Sequence, residues 1–262
     1  MKELNMPKFA ANLTLMFNEV PFLNRFKVAK DCGFDAVEFL FPYEFSTTEV
    51  ADKLQQNEQI LALFNLPPGD WDTGDKGMAA IPGREQEFQD TVGVALEYAR
   101  AFKNKTIHMM AGIIPDAVGV EVAFETYVKN YQFCADAFVD DDIDVIIEPL
   151  NTRDVPGYMI SKNSSAHSVI AAADRPNVGL QFDFYHVQIM GGDLATQFET
   201  YWDISKHVQI AGVPERFEPN VGEINYPYLF DLMDRVGYKG YVGCEYKPQN
   251  ETKAGLGWMS DW

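Results

Sequence analysis

The chain's apolar pattern predicts an α/β protein, a single (β/α)8 TIM barrel over residues 1–262. Eight short apolar runs alternate with longer stretches whose apolar residues recur at helical spacing. The short runs are mostly continuously apolar, as in a parallel sheet with both faces covered by helices. A doubly wound sheet is the alternative, but no glycine-rich phosphate loop follows the first run.

The elements follow in order. "FAANLTL" (9–15) is the first strand, and "FLNRFKVAKDCG" is a helical pattern that closes on a glycine. "AVEFLF" (36–41) is the second, followed by "TTEVADKLQQNEQ". "ILALFNL" (60–66) is the third, and the longest connection, "PPGDWDTGDKGMAAIPG" (67–83), follows it. Loops beyond ~12–15 residues in compact domains are usually lids or binding loops. After a barrel strand such a loop lies on the active face, so 67–83 is expected to act as a lid. "REQEFQDTVGVALEYARAF" is helical, "TIHMMAG" (106–112) is the fourth strand, and "EVAFETYVKNYQFCADAFV" is helical again. "DVIIEPL" (144–150), "VGLQFDF" (178–184), "HVQIAG" (207–212) and "YVGCEYK" (241–247) complete the eight strands. Between them lie "NSSAHSVIAAAD", "LATQFETYWDISK" and "YPYLFDLMDRVG", the last also closing on a glycine. Residues 1–5, ahead of Met6, read as an N-terminal extension.

Composition narrows the function classes. Apolar residues make up 47% of the chain, enough for a substantial core. No window approaches the ~18 uninterrupted apolar residues of a membrane span. The first residues lack the order of a signal peptide, so a cytoplasmic protein is expected. Cys32, Cys134 and Cys244 form neither a metal motif nor a disulfide framework. A net charge of −18 argues against a nucleic-acid partner, which would need a basic face. An anionic substrate would have to be held by local cations or a metal against that field.

In a barrel enzyme the chemistry sits at the C-terminal ends of the strands. Glu148 ends the fifth run and Asp183 the sixth, with His186 three residues on. Gln209 lies in the seventh, and Glu245 then Lys247 in the eighth. Alternation places Gly243, Glu245 and Lys247 on one face. Three carboxylates pointing into one mouth are tolerated only with a compensating cation or with some protonated. Glu148, Asp183, Gln209 and Glu245 make an all-oxygen set that suits Mg²⁺ or Mn²⁺. Taken singly, each is more often a cap or ion-pair partner; four on successive strands favour a site. His186 and His108 are candidates to line the pocket, whereas His167 and His207 are assigned to structure, His207 because it opens its strand at the far end of the barrel.

The motifs "FAANLTLMF", "GFDAVEFLFPYE", "PPGDW", "IPGRE", "IEPLN", "QFDFYH", "HVQIAGVP", "EPNVGEINYPYLF" and "GCEYKP" extend over nearly the whole chain. They resemble the hydroxypyruvate isomerase family, a branch of the xylose-isomerase-like barrels that includes the 2-oxo-tetronate isomerases. The resemblance implies an intramolecular oxidoreductase interconverting hydroxypyruvate and 2-hydroxy-3-oxopropanoate. It also implies a proton-transfer pair at Glu148 and Glu245, and a divalent metal at Glu148, Asp183, Gln209 and Glu245. No organic cofactor is expected. "LALFN", "HMMAG" and "GLGW" look more like the 2-oxo-tetronate group, "IEPLN" and "VPGY" more like the hydroxypyruvate enzymes. Phe217 and Val221 depart from the family, where His or Gly and Thr or Asp are usual, which bears on substrate identity.

Such a reaction runs through a cis-enediolate, one carboxylate abstracting a proton and the other delivering it to the adjacent carbon. Lys247, Arg84 and Arg216 are the candidates to hold the substrate carboxylate. Trp71 is the candidate to exclude water. Two rivals are weighed. Barrel phosphodiesterases of damaged DNA use zinc clusters held by many histidines, against which stand four histidines and the −18 charge. A non-catalytic sugar-acid binder is the other. The sequence leaves a homo-oligomer open.

Overall fold

All eight expected strands form, each ending before its apolar run does. They are β1 (Lys8–Asn12), β2 (Ala36–Glu38), β3 (Ile60–Asn65), β4 (Thr106–His108), β5 (Asp144–Ile147), β6 (Val178–Asp183), β7 (Ser205–Ile210) and β8 (Tyr241–Cys244). This computed structural model describes residues 7–261, so the expected extension at 1–5 lies outside the described residues. The strands close in chain order into one parallel barrel, with β8 pairing back onto β1 through Ala10 opposite Gly243.

The helices match the seven expected segments, with two short additions. They are α1 (Phe22–Asp31), α2 (Thr47–Gln56), α3 (Glu85–Phe102), α4 (Val120–Phe138), α5 (Asn163–Ala173), α6 (Phe184–Met190), α7 (Leu194–Tyr201), α8 (Tyr226–Val236) and α9 (Thr252–Gly255). A capping box starts α2, with Ser46 and Glu49 each satisfying the other's backbone N–H. Gly237, at φ +85°, ends α8 in the left-handed conformation that favours glycine. The unexpected α6 starts directly at the end of β6, where the Asp183 side chain accepts the N–H of Tyr185. His186 therefore stands on a helix turned back over the mouth, not on an extended strand.

Apolar residues fill the space between barrel and helices, with Phe26, Phe39, Phe64 and Phe102 in a chain of edge and tilted contacts. Inside the barrel the floor is a small cluster of Ala10, Ala36 and Ala62. Above it lies a polar layer. Buried Glu38 accepts from Asn12 Nδ2 at 2.9 Å and from Gln209 Nε2 at 2.8 Å, and meets His207 Nε2 at 2.7 Å. Buried polar groups need partners, and this layer supplies them internally. A Cβ on Gly243 would fall 2.2 Å from Glu38 Oε2, so only glycine leaves room for that carboxylate. His207 does serve structure, but inside the barrel rather than at its far end, because β7 begins two residues earlier, at Ser205.

The long connection is built rather than loose. Gly77 N–H donates to Pro68 O at 2.9 Å and Ala80 N–H to Ala111 O at 2.8 Å, and Met78, Ala79 and Ala80 are buried. Among the described residues no helix is long and apolar enough to cross a membrane.

Candidate active site

A cavity of about 230 Å³ opens at the C-terminal mouth of the barrel. Glu148, Glu245, His108, His186, Arg216 and Trp71 line it, six of the residues singled out from sequence. Glu148 is the first residue past β5 and Glu245 the first past β8, where backbone leaving the sheet turns side chains into the mouth. Asp183 is buried at the end of β6, its Oδ2 3.5 Å from His186 Nε2.

The carboxylates crowd one another. Glu148 and Asp183 bring oxygens within 4.8 Å. Two like charges about 5 Å apart repel by roughly 3 kcal/mol at an effective dielectric near 20. Burial pushes Glu148 well above the usual carboxylate range, and Glu245 and Asp183 push the same way. Burial also raises Glu245 to about 8, against the pull of Arg216, with Asp183 and Glu38 adding to the rise. Asp183 rises to about 6 by burial, Arg216 again opposing.

Arg216 is the cation of this group. Its guanidinium donates to the Glu245 carboxylate, stands 3.6 Å from Asp183 Oδ2 and lies 4.8 Å from the Tyr185 ring centroid. Burial would lower its pKa, but Glu245, Asp183 and Glu148 more than offset this and raise it. Its backbone takes a left-handed φ of +62°, and its carbonyl accepts the N–H of Lys247 at 2.7 Å, which locks the β7–α8 loop to the chain past β8.

Two histidines face the acids. Burial lowers His108 to about 3, His207 adding to the fall, and neither ring nitrogen has a hydrogen-bond partner. Burial and Arg216 drive His186 well below its ordinary value. The Asn151 backbone N–H donates to His186 Nδ1 at 3.0 Å, so in the neutral ring the proton sits on Nε2, facing Asp183 and Glu148.

Glu148, Asp183 and His186 place ligand atoms close enough together to hold a metal ion. Among the described residues Glu148 Oε1 and Asp183 Oδ2 are buried without a hydrogen-bond partner, Asp183 Oδ2 having only the longer contacts to Arg216 and His186, so both oxygens can accept a cation. His186 would ligate only by giving up its Nε2 proton. Gln209, expected to aim its oxygen into the mouth, instead accepts Gln181 Nε2 at 2.6 Å through Oε1 and donates to Glu38 through Nε2.

Two expected cations lie elsewhere. The Arg84 guanidinium is hydrogen-bonded to both Asp75 oxygens and to Glu87, so it ties the long loop to α3 and does not line the cavity. Lys247 borders a separate surface depression with Asn18, Glu19 and Pro248, because β8 ends at Cys244 and its alternation does not continue. Phe217 and Val221 do not line the cavity either. Sequence reasoning missed Lys76, Asn65 and Asp154 in the lining, and Glu38 and Asn12 beneath it. Of these, Glu38 had a signal: an acid in the middle of an apolar strand run.

Comparison with known proteins agrees with this architecture. A family model described as xylose isomerase-like TIM barrel matches residues 26–262. The chain is 49% identical to a 2-oxo-tetronate isomerase of Cupriavidus necator over 98% of its length and 99% of that protein. It is 43% identical to the hydroxypyruvate isomerase of Escherichia coli, over 98% of this chain and 100% of that protein. A solved structure from Brucella melitensis, named as an AP endonuclease of family 2, superposes with a TM-score of 0.96 at 50% identity, covering 98% of this chain and 99% of that one.

Proposed function

The chain belongs to the xylose isomerase-like TIM barrel family, and we propose that it isomerises small hydroxy-oxo acids, interconverting hydroxypyruvate and 2-hydroxy-3-oxopropanoate. The observation that carries this reading is the pair Glu148 and Glu245. Both are buried carboxyls held above their ordinary range, and they line one cavity from different strands. A second reading, isomerisation of 2-oxo-tetronates, is favoured by the higher identity to the Cupriavidus necator relative. The two substrates share the reacting end, so one mechanism serves both.

Arg216 favours the ionised form of Glu245, while no lysine or arginine stands within ion-pair distance of Glu148 among the described residues. Glu245 is then the first of the two to ionise and, once ionised, is the base that takes the proton from the hydroxyl-bearing carbon, while Glu148 is the acid that delivers one to the adjacent carbon. The reverse direction exchanges their roles. The Nε2–H of His186 donates to an enediolate oxygen. Leu15, Leu40, Met110, Leu150 and Val155 form an apolar wall that keeps water from that reactive species, with Trp71 at the loop side.

Mg²⁺ or Mn²⁺, held by Glu148 and Asp183 with Glu245 and Gln209 completing the set, would supply Lewis-acid stabilisation of charge on the enediolate oxygens. Gln209 would first have to release Gln181.

The name of the Brucella melitensis structure does not favour a DNA substrate here. A mouth lined by carboxylates in a chain of net charge −18 repels a phosphate backbone. The test is a side-by-side turnover assay of hydroxypyruvate, 2-oxo-tetronates and simple sugars. Turnover of either acid ahead of the sugars is expected, and sugars turned over in preference to both acids would refute the reading.

A further inference from the structure

The acid reading leaves one question open, namely what holds the substrate's carboxylate. The chain's overall charge and the cluster of Glu148, Asp183 and Glu245 both repel an anion, so the carboxylate has to lie away from that cluster and against a cation. Arg216 already serves Glu245 and Asp183. Arg84 is held by Asp75 and Glu87, and Lys247 opens onto another surface. Among the described residues the remaining cation that lines the cavity is Lys76, in the long loop after β3.

We infer that Lys76 is the residue that binds the substrate carboxylate and selects acids over neutral hydroxy-ketones. This rests on the isomerase reading above. The Lys76 ammonium sits 3.3 Å from the centroid of the Trp71 ring and makes no ion pair within 4 Å among the described residues. Its neighbour Asp75 is the natural competitor, but both oxygens of that carboxylate are taken by Arg84. An ammonium on an aromatic face is partly desolvated while its outward N–H groups stay free to meet an anion. The Trp71 ring packs in turn on Phe41, at 5.1 Å between centroids.

The backbone fixes this presentation. Gly77, next in the chain, has φ +96°, bridges to Ala111, and packs so tightly that a Cβ would fall 2.4 Å from Met110 O. Asp75 N–H donates to Asp70 O at 3.0 Å. Lys76 is therefore pinned on both sides, with its side chain in the cavity lining against Trp71. In that setting a carboxylate–ammonium contact is stronger than at an open surface.

The experiment compares kcat/KM for hydroxypyruvate with that for hydroxyacetone, in which a methyl group replaces the carboxylate. It is run on the wild-type protein, Lys76→Met and Lys76→Arg, with binding of pyruvate measured by calorimetry on each. Lys76→Met is expected to lose about 10- to 100-fold on hydroxypyruvate, mostly through KM, and to shrink the acid-over-neutral preference by the same factor. Pyruvate affinity should fall in parallel, and Lys76→Arg should keep most of both. An unchanged preference and pyruvate affinity in Lys76→Met would overturn the assignment, as would a wild-type protein that binds no pyruvate. If the chain turns over neither acid yet binds pyruvate through Lys76, the isomerase reading fails and the Lys76 assignment stands.

Discussion

The guanidinium of Arg216 donates to the carboxylate of Glu245 and lies 3.6 Å from that of Asp183, so one cation is shared by two of the three acids in the mouth. Breaking such a pair leaves these carboxylates either uncompensated in a poorly solvated site or forced to take up a proton there. The Arg216 side chain keeps 18% of its surface exposed, which places the cost toward the low end of the range for buried pairs. Arg216→Met is expected to lower stability by about 3 kcal/mol and to lower kcat by at least 10-fold. Denaturant unfolding and steady-state kinetics check this. A variant as stable and as active as the wild type would remove Arg216 from the account.

The pH dependence of stability follows from Glu245. Its folded pKa of about 8 lies above the ordinary 4.5, so between these values the folded state binds more protons than the unfolded one. The stability it contributes is full below about 4.5, declines through that window, and is gone above about 8. In metal-free protein, Glu245→Gln is expected to flatten this decline and to raise the thermal midpoint most at alkaline pH. His108 acts in the opposite sense. With its folded pKa lowered to about 3, stability falls as pH drops from 6.5 toward 3. Melting curves across pH on the wild type and Glu245→Gln give both slopes.

Gly243 and Glu38 form a steric pair inside the barrel. An alanine at 243 places a Cβ 2.2 Å from Glu38 Oε2. The carboxylate must then move away from its contacts with Asn12, His207 and Gln209. Gly243→Ala is expected to cost about 3 kcal/mol through overpacking and lost hydrogen bonds, read as a shift in the urea midpoint.

Divalent metal gives a further outcome. Glu148 Oε1 and Asp183 Oδ2, neither of which accepts a hydrogen bond among the described residues, predict that Mg²⁺ or Mn²⁺ raises the thermal midpoint of chelator-treated protein, by an amount that grows with ion concentration. The Asp183→Asn variant is expected to lose most of that increase.

The barrel was readable because its eight strands are mostly continuous apolar runs, and the placing of Glu148, Asp183 and Glu245 at one mouth because these acids stand at the ends of the fifth, sixth and eighth runs. What was not readable depended on where the chain leaves a strand. "FDFYHVQIM" stays apolar through the start of α6, so nothing in its periodicity shows that Asp183 caps a helix and turns His186 back over the mouth. Lys247 was misplaced because β8 ends at Cys244 and the alternation stops there. Lys76 lies within the long connection of residues 67–83, and Arg84 directly follows it. Which of them faces the cavity is decided by the Arg84–Asp75 ion pair, a contact between residues nine apart that no local pattern encodes. Gln209, the amide that invited a metal role, is engaged by Gln181 and Glu38, and of these Glu38 lies on a distant strand.

Proton transfer between Glu148 and Glu245 is the chemical core of the proposed isomerisation. Its most direct measurement is hydroxypyruvate isomerisation in deuterated water, followed by NMR, for the wild type, Glu148→Gln and Glu245→Gln. Solvent deuterium is expected at the carbon that receives the proton in the wild-type reaction, and turnover reduced by about 10²- to 10⁴-fold in each variant that remains folded. Near-native turnover in either variant would contradict it.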